Sequence, residues 1–175
     1  MSADYPLAPR GRRLFSLCYE ALLVLAVVLA SGVLFQLLLG VGGVKATAIA
    51  ESAVWRGLFG VYWLLILYGY FAWCWRRSGQ TLPMKTWRLQ LVMREGGVLS
   101  QRAMLIRFVV CFLAFAPLAP VMVWVRHTPD MQWVKWAAYA WLALPLLWSW
   151  LDKDRQFLHD RLAGTQILLL PIVRE

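Results

Sequence analysis

Charge is scarce in this sequence and acid scarcest of all: 15% of the 175 residues are charged, 9 are Asp or Glu, and 2 are His. Soluble domains run about 25% charged and about 45–50% apolar. With 61% apolar residues and a mean hydropathy of +0.60, a water-soluble globule and a disordered chain are both set aside. Cysteine is sparse too. Cys18, Cys74 and Cys111 fall in or beside apolar runs, are odd in number and lack metal-ligand spacing, which sets aside a disulfide-rich module and a cysteine metal site. No Gly-rich phosphate loop, GxSxG elbow, Cys/His dyad or HExxH pattern occurs. Neither an enzyme nor a cofactor is expected, and no internal repeat divides the chain.

What is abundant is long apolar sequence, which places the chain in a membrane. Four runs stand out, at about 14–39, 54–75, 103–125 and 133–151, within one domain spanning 1–175. The first would make roughly 39 Å of helix, enough to cross a hydrocarbon core of about 30 Å. Its start, Arg12-Arg13-Leu14-Phe15, and the later Val28-Leu29-Ala30 have the look of a secretion signal. The apolar run outlasts a signal core of about 7–15 residues, however, so a retained helix is expected. Pro117, Pro120 and Pro145 lie in the last two runs and should kink or loosen them.

Basic residues set the orientation. Segments 1–13, 76–107 and 152–175 hold 14 Lys or Arg, whereas Lys45, Arg56, Arg126 and Lys135 are the 4 on the other side. Cytoplasmic loops carry the basic excess, so both termini and the central loop are expected in the cytoplasm of a bacterial inner membrane. Topology and anionic lipid headgroups account for the formal charge of +9, and no nucleic-acid partner is required. Tryptophan supports this registration: Trp73, Trp75, Trp148 and Trp150 mark the cytoplasmic interface, and Trp55, Trp124, Trp133 and Trp136 the outer one. Trp63 and Trp141 lie deeper and are expected between helices. On the cytoplasmic side, 86–92 and 166–170 read as β-prone runs able to form a short antiparallel ribbon beneath an all-α, four-helix transmembrane bundle. Ser100 reads as the cap of the third helix.

Arg13, Ser16 and Glu20 stand at i, i+3 and i+7 of the first helix and so share a face. Glu20 lies about 10 Å beyond Arg13 along the helix. An acid at that depth is costly, faces the bundle interior and finds a partner. Two roles remain open for it: a proton- or ion-handling carboxylate, or a structural ion pair with Arg102 or Arg107. The second constellation is the mixed-charge stretch 152–161, which includes His159 and Asp160. It reads as a solvated or salt-bridged turn in preference to a metal site.

Three stretches together resemble the RDD family of small bacterial inner-membrane proteins, over about residues 10–170. They are Arg13 with an acid seven residues on, then Ser78-Gly79-Gln80-Thr81-Leu82, then His159-Asp160-Arg161-Leu162-Ala163-Gly164-Thr165. The resemblance carries the family's arginine onto Arg13, its first aspartate onto Glu20 and its second onto Asp160. Glu20 departs from the family in its longer arm. Pro83 and Met84 stand where Gly and Lys are common, which argues against a phosphate-gripping loop. The family has no settled activity; the resemblance implies transport of ligands not identified, or cation/proton exchange. Four helices are few for a transport path, so a homo-oligomer or another membrane protein is the expected partner within the bilayer. The competing expectation is a non-catalytic scaffold or assembly partner.

Overall fold

The computed structural model describes residues 5–43, 47, 52–154 and 156–171. Lys45, Arg155 and Arg174, which enter the charge balance and the mixed-charge stretch, lie outside them. The chain runs through α1 (Arg10–Val41), α2 (Ala53–Ser78), a short α3 (Leu82–Thr86), β1 (Leu89–Met93), α4 (Gln101–Phe115), α5 (Leu118–His127), a single 3₁₀ turn (Pro129–Met131), α6 (Gln132–Leu151), a short α7 (Leu158–Leu162) and β2 (Thr165–Leu169).

Among the described residues, three stretches are long and apolar enough to cross a membrane: Arg10–Val41, Ala53–Thr86 and Gln101–His127. No residue in the most apolar part of α1 is buried. Leu22, Leu29 and Leu37 are each more than 60% exposed. Such an apolar outer surface suits hydrocarbon, where the usual gain from burying leucine is absent. The fourth apolar run forms the 20-residue helix α6. Its five tryptophans and Lys135 leave it outside the set of three.

Proline acts unevenly. The chain turns at Ala116–Pro117 and splits the third run into α4 and α5, because Pro117 has no N–H to continue the ladder. Pro120 falls in the first turn of α5, where a missing N–H costs little. Pro145 sits within α6 without ending it. The Ser100 hydroxyl accepts from Ala103 N–H at 3.1 Å and caps α4 as expected.

The packed core lies at one end of the helices. Ala8, Trp75, Met84, Leu89, Leu91, Met104, Phe108 and Ile167 form it, where the start of α1, the end of α2 and the start of α4 meet the ribbon. The end of α6 joins them, since Arg10 Nη2 donates to the Ser149 carbonyl at 2.6 Å. Strands β1 and β2 pair antiparallel, with Leu89 opposite Leu169 and Met93 opposite Thr165. Leu89, Leu91 and Ile167 point into the core on the period of two that a half-buried strand requires.

Several expectations are corrected. The first strand starts at Leu89, because Leu82–Thr86 is helical and Arg88 turns the chain at φ 57°. The ribbon also has an edge partner that pattern reading missed: Ala8 N–H donates to Ile167 O at 2.9 Å and Leu169 N–H to Pro6 O at 2.9 Å. That third segment supplies support a two-stranded ribbon lacks. It also brings residues 6–8 and 165–169 to the same end of the helices. Trp75 is a core residue, 5% exposed, and not an interfacial one. Trp141 is 54% exposed, although its indole N–H donates to Leu113 O at 3.1 Å across to α4.

Candidate polar centre beneath the helix ends

Each α1 position on the Arg13 face turns inward. Arg13 and Ser16 are buried and Glu20 is partly buried, while Leu14, Phe15, Cys18 and Tyr19 are exposed. The shared face inferred from spacing is therefore the packed one. Arg13 Nη2 donates to the Ile167 carbonyl at 3.3 Å, which ties α1 to the middle of β2.

Asp160 is fully buried and forms an ion pair with Arg107 of α4, whose side chain is 8% exposed. The Arg107 guanidinium also lies over the Trp75 ring at 5.4 Å. Two desolvated charges of opposite sign, capped by an aromatic face, make a closed pair. His159 Nε2 lies 3.7 Å from Asp160 Oδ2 in the same buried pocket, 3% exposed. Burial, with Arg107 and Arg13 nearby, holds the His159 imidazole well below its ordinary pKa, so it is neutral at pH 7.

Glu20 has a different partner from either one foreseen. Its Oε2 accepts from the Thr81 hydroxyl at 2.6 Å, and the Thr81 oxygen in turn accepts from Met84 N–H at 3.4 Å. An ionised carboxylate can only accept, so the Thr81 hydroxyl supplies the proton of this bond. Oε1 is buried; the Tyr70 hydroxyl lies near enough to Glu20 to act as a second hydrogen-bond neighbour, and Arg107 lies within electrostatic reach. Arg107 is thus committed to Asp160 and only neighbours Glu20. Arg102 is exposed, forms no ion pair among the described residues, and is not part of the centre.

The other motif residues explain themselves by geometry. Gly79 adopts φ +68°, and a Cβ there would stand 2.6 Å from the Leu91 carbonyl oxygen. Its own carbonyl accepts from Leu91 N–H at 2.8 Å, so the end of α2 is joined to β1 through a residue that must be glycine. Gln80 Nε2 donates to Leu89 O at 2.7 Å, a second bond across the same junction. In the later stretch, Gly164 turns the chain at φ +65° into β2, and Thr165 Oγ1 donates to the Asp160 carbonyl at 3.4 Å. The mixed-charge stretch divides: its start, around Asp152 and Asp154, is a salt-bridged turn, while His159 and Asp160 at its end are buried on α7. Asp152 Oδ2 accepts from the N–H groups of Asp154 and Gln156 at 3.1 and 3.0 Å. Asp154 pairs with Arg94 at 2.5 Å and with Arg161 at 3.2 Å, tying this turn to the end of β1.

Sequence reading missed Thr81, Tyr70 and Gln156. Thr81 lies in a quoted motif, but its partner is 61 residues away, and no local spacing could pair them. Gln156 is 1% exposed and both its amide atoms lack a hydrogen-bond partner among the described residues. The centre thus gathers Arg13, Arg107, Glu20 and Asp160, two charges of each sign, around neutral donors. One acid is paired with an arginine; the other rests on hydroxyl groups, Thr81 on Oε2 and Tyr70 nearby.

A family model described as the RDD family matches residues 7–164. No curated protein and no solved structure matches the chain.

Proposed function

The chain belongs to the RDD family, and from its buried polar centre we propose a membrane component for transport or cation/proton exchange, with Glu20 as the exchanging carboxylate. The observation that carries this reading is the asymmetry between the two acids. Asp160 is paired with Arg107, whereas Glu20 rests on the Thr81 hydroxyl with the Tyr70 hydroxyl beside it and forms no ion pair among the described residues. A partly buried carboxylate with hydroxyl neighbours and no paired cation is suited to take up a proton or a cation in exchange. In this reading Asp160, His159 and Arg13 position the ribbon, Ser16 packs the shared face, and Thr81 orients Glu20. No catalytic residue and no cofactor is invoked, and the cation is cargo, not a resident metal.

The reading includes four spans, 14–39, 54–75, 103–125 and 133–151, with both termini in the cytoplasm of a bacterial inner membrane. The 14-to-4 division of basic residues supports this. Anionic lipid is the expected partner at the cytoplasmic face, nucleic acid is none, and a second copy or another membrane protein completes the path.

The test is pH-gradient-driven flux of Na⁺, K⁺ and Li⁺ in liposomes. Wild-type protein moves at least one of them, and Glu20→Gln abolishes flux while retaining the wild-type elution profile. Absence of flux for every cation with wild type refutes the reading. The alternative, a non-catalytic scaffold, is favoured by the locked Asp160–Arg107 pair; it predicts that Glu20→Gln disrupts insertion or assembly and that no flux exists to lose.

A further inference from the structure

Two adjoining cavities at the end of α2 share Arg76 and Arg77 in their walls. The first, about 540 Å³, opens at the ribbon end of the helices; Ser78, Gln90 and Gln101 also line it. The second, about 430 Å³, runs back along the membrane-crossing part of α2 over Gly69, Ala72 and Trp73. Gly69 and Ala72 leave this strip of helix without bulk, so a trough lies where its neighbours would otherwise fill the surface. From Gly69 to Arg76 is seven residues, roughly 10 Å along the axis. The trough therefore begins at hydrocarbon depth and ends at the two guanidinium groups.

Those groups are available. Arg76 and Arg77 are exposed, and neither forms an ion pair among the described residues. Arg77 lies over the Trp73 ring at 5.5 Å, and Trp73 is 61% exposed, as an indole at a headgroup boundary would be. The start of the 15-residue helix α4 borders the larger cavity through Gln101, bringing the positive end of that helix to the same place.

We propose that this pair of cavities is a specific site for an anionic phospholipid, its phosphate on Arg76 and Arg77 and an acyl chain in the Gly69–Ala72 trough. The polar cavity alone would suit any phosphate and the trough alone any acyl chain. Their continuity through two arginines selects a molecule that has both, with net negative charge. The site stands apart from Glu20 and from the exchange reading, and rests on the anionic-lipid contact proposed for the cytoplasmic face.

The experiment is native mass spectrometry of detergent-solubilised full-length protein titrated with phosphatidylglycerol, phosphatidylcholine or inorganic phosphate. Wild type is expected to retain one phosphatidylglycerol in preference to phosphatidylcholine, with no displacement by millimolar phosphate. Arg76→Gln with Arg77→Gln should weaken retention roughly 30-fold, the contribution of one basic side chain at an anionic surface counted twice. Ala72→Phe, which fills the trough and leaves both arginines in place, should weaken it as well. Arg102→Gln, an exposed arginine lining neither cavity, should leave it unchanged. Equal retention of phosphatidylcholine, unaltered binding by the double arginine variant, or displacement by phosphate would each overturn the proposal. Matching circular dichroism and elution for all variants separates loss of the site from loss of the fold.

Discussion

Replacing Asp160 by Asn keeps the shape of the side chain and removes its charge, leaving Arg107 buried with its counter-ion gone. Asp160 is fully buried and the Arg107 side chain 8% exposed, so solvent cannot screen or replace the missing partner. Breaking one side of such a pair costs about 3–5 kcal/mol, most of it from the stranded charge. The more exposed pairs that Asp154 makes with Arg94 and Arg161 provide the internal standard, with Asp154 32% and the arginines 43% and 44% exposed. Asp154→Asn should cost no more than about 1 kcal/mol because water and salt screen it. Arg107→Gln combined with Asp160→Asn removes both charges and should recover at least half the loss of Asp160→Asn alone. The assay is reversible denaturation in mixed micelles followed by intrinsic tryptophan fluorescence, run as a double-mutant cycle. If Asp160→Asn costs no more than Asp154→Asn, or the double variant is as unstable as the sum of the singles, the ion pair does not hold the ribbon to the helices.

Three further outcomes are expected. His159 is held neutral by its surroundings while an unfolded histidine titrates near pH 6.5, so below that pH the unfolded chain takes up a proton that the folded chain refuses. Stability should then fall by up to about 1.4 kcal/mol per pH unit below 6.5, and His159→Gln should show a shallower slope between pH 7 and 5; identical slopes would disprove the assignment. Gly79→Ala meets both a left-handed backbone and the Leu91 carbonyl and should cost about 2 kcal/mol or more, with faster hydrogen exchange at Leu91 N–H. Gly164→Ala, with the same sign of φ and open space around it, should cost about 1 kcal/mol, and equal losses at the two glycines would contradict the steric argument. Thr81→Val removes both the hydroxyl that Glu20 accepts from and the cap of α3 and should cost about 1–3 kcal/mol, while Thr81→Ser should restore most of it.

Much of the architecture was legible because it rests on periodicity and composition. The apolar runs, the inward face bearing Arg13, Ser16 and Glu20, the Ser100 cap and the pairing of the two β-prone runs all follow from local pattern. The strand boundary was missed by three residues because Thr86, Trp87 and Arg88 alternate in polarity like a strand, while Thr81 and Pro83 start a helical turn just ahead of them. Arg102 and Arg107 looked equivalent as partners for Glu20, both being arginines near the start of one apolar run. They differ by five positions, about 140° around a helix, so packing buried one and exposed the other.

Residence in a membrane, the rods that make it so and the acids worth testing were already present in the order of the amino acids, because hydrophobic length and helical period are properties of a few neighbouring residues. The choice of partner was not. That Asp160 closes on Arg107, that Glu20 rests on Thr81, and that residues 6–8 complete the edge of the ribbon depend on segments scores of residues apart meeting at one end of the helices. Charges of opposite sign attract without regard to sequence position, and only the packed arrangement decides which of several equivalent arginines is within reach.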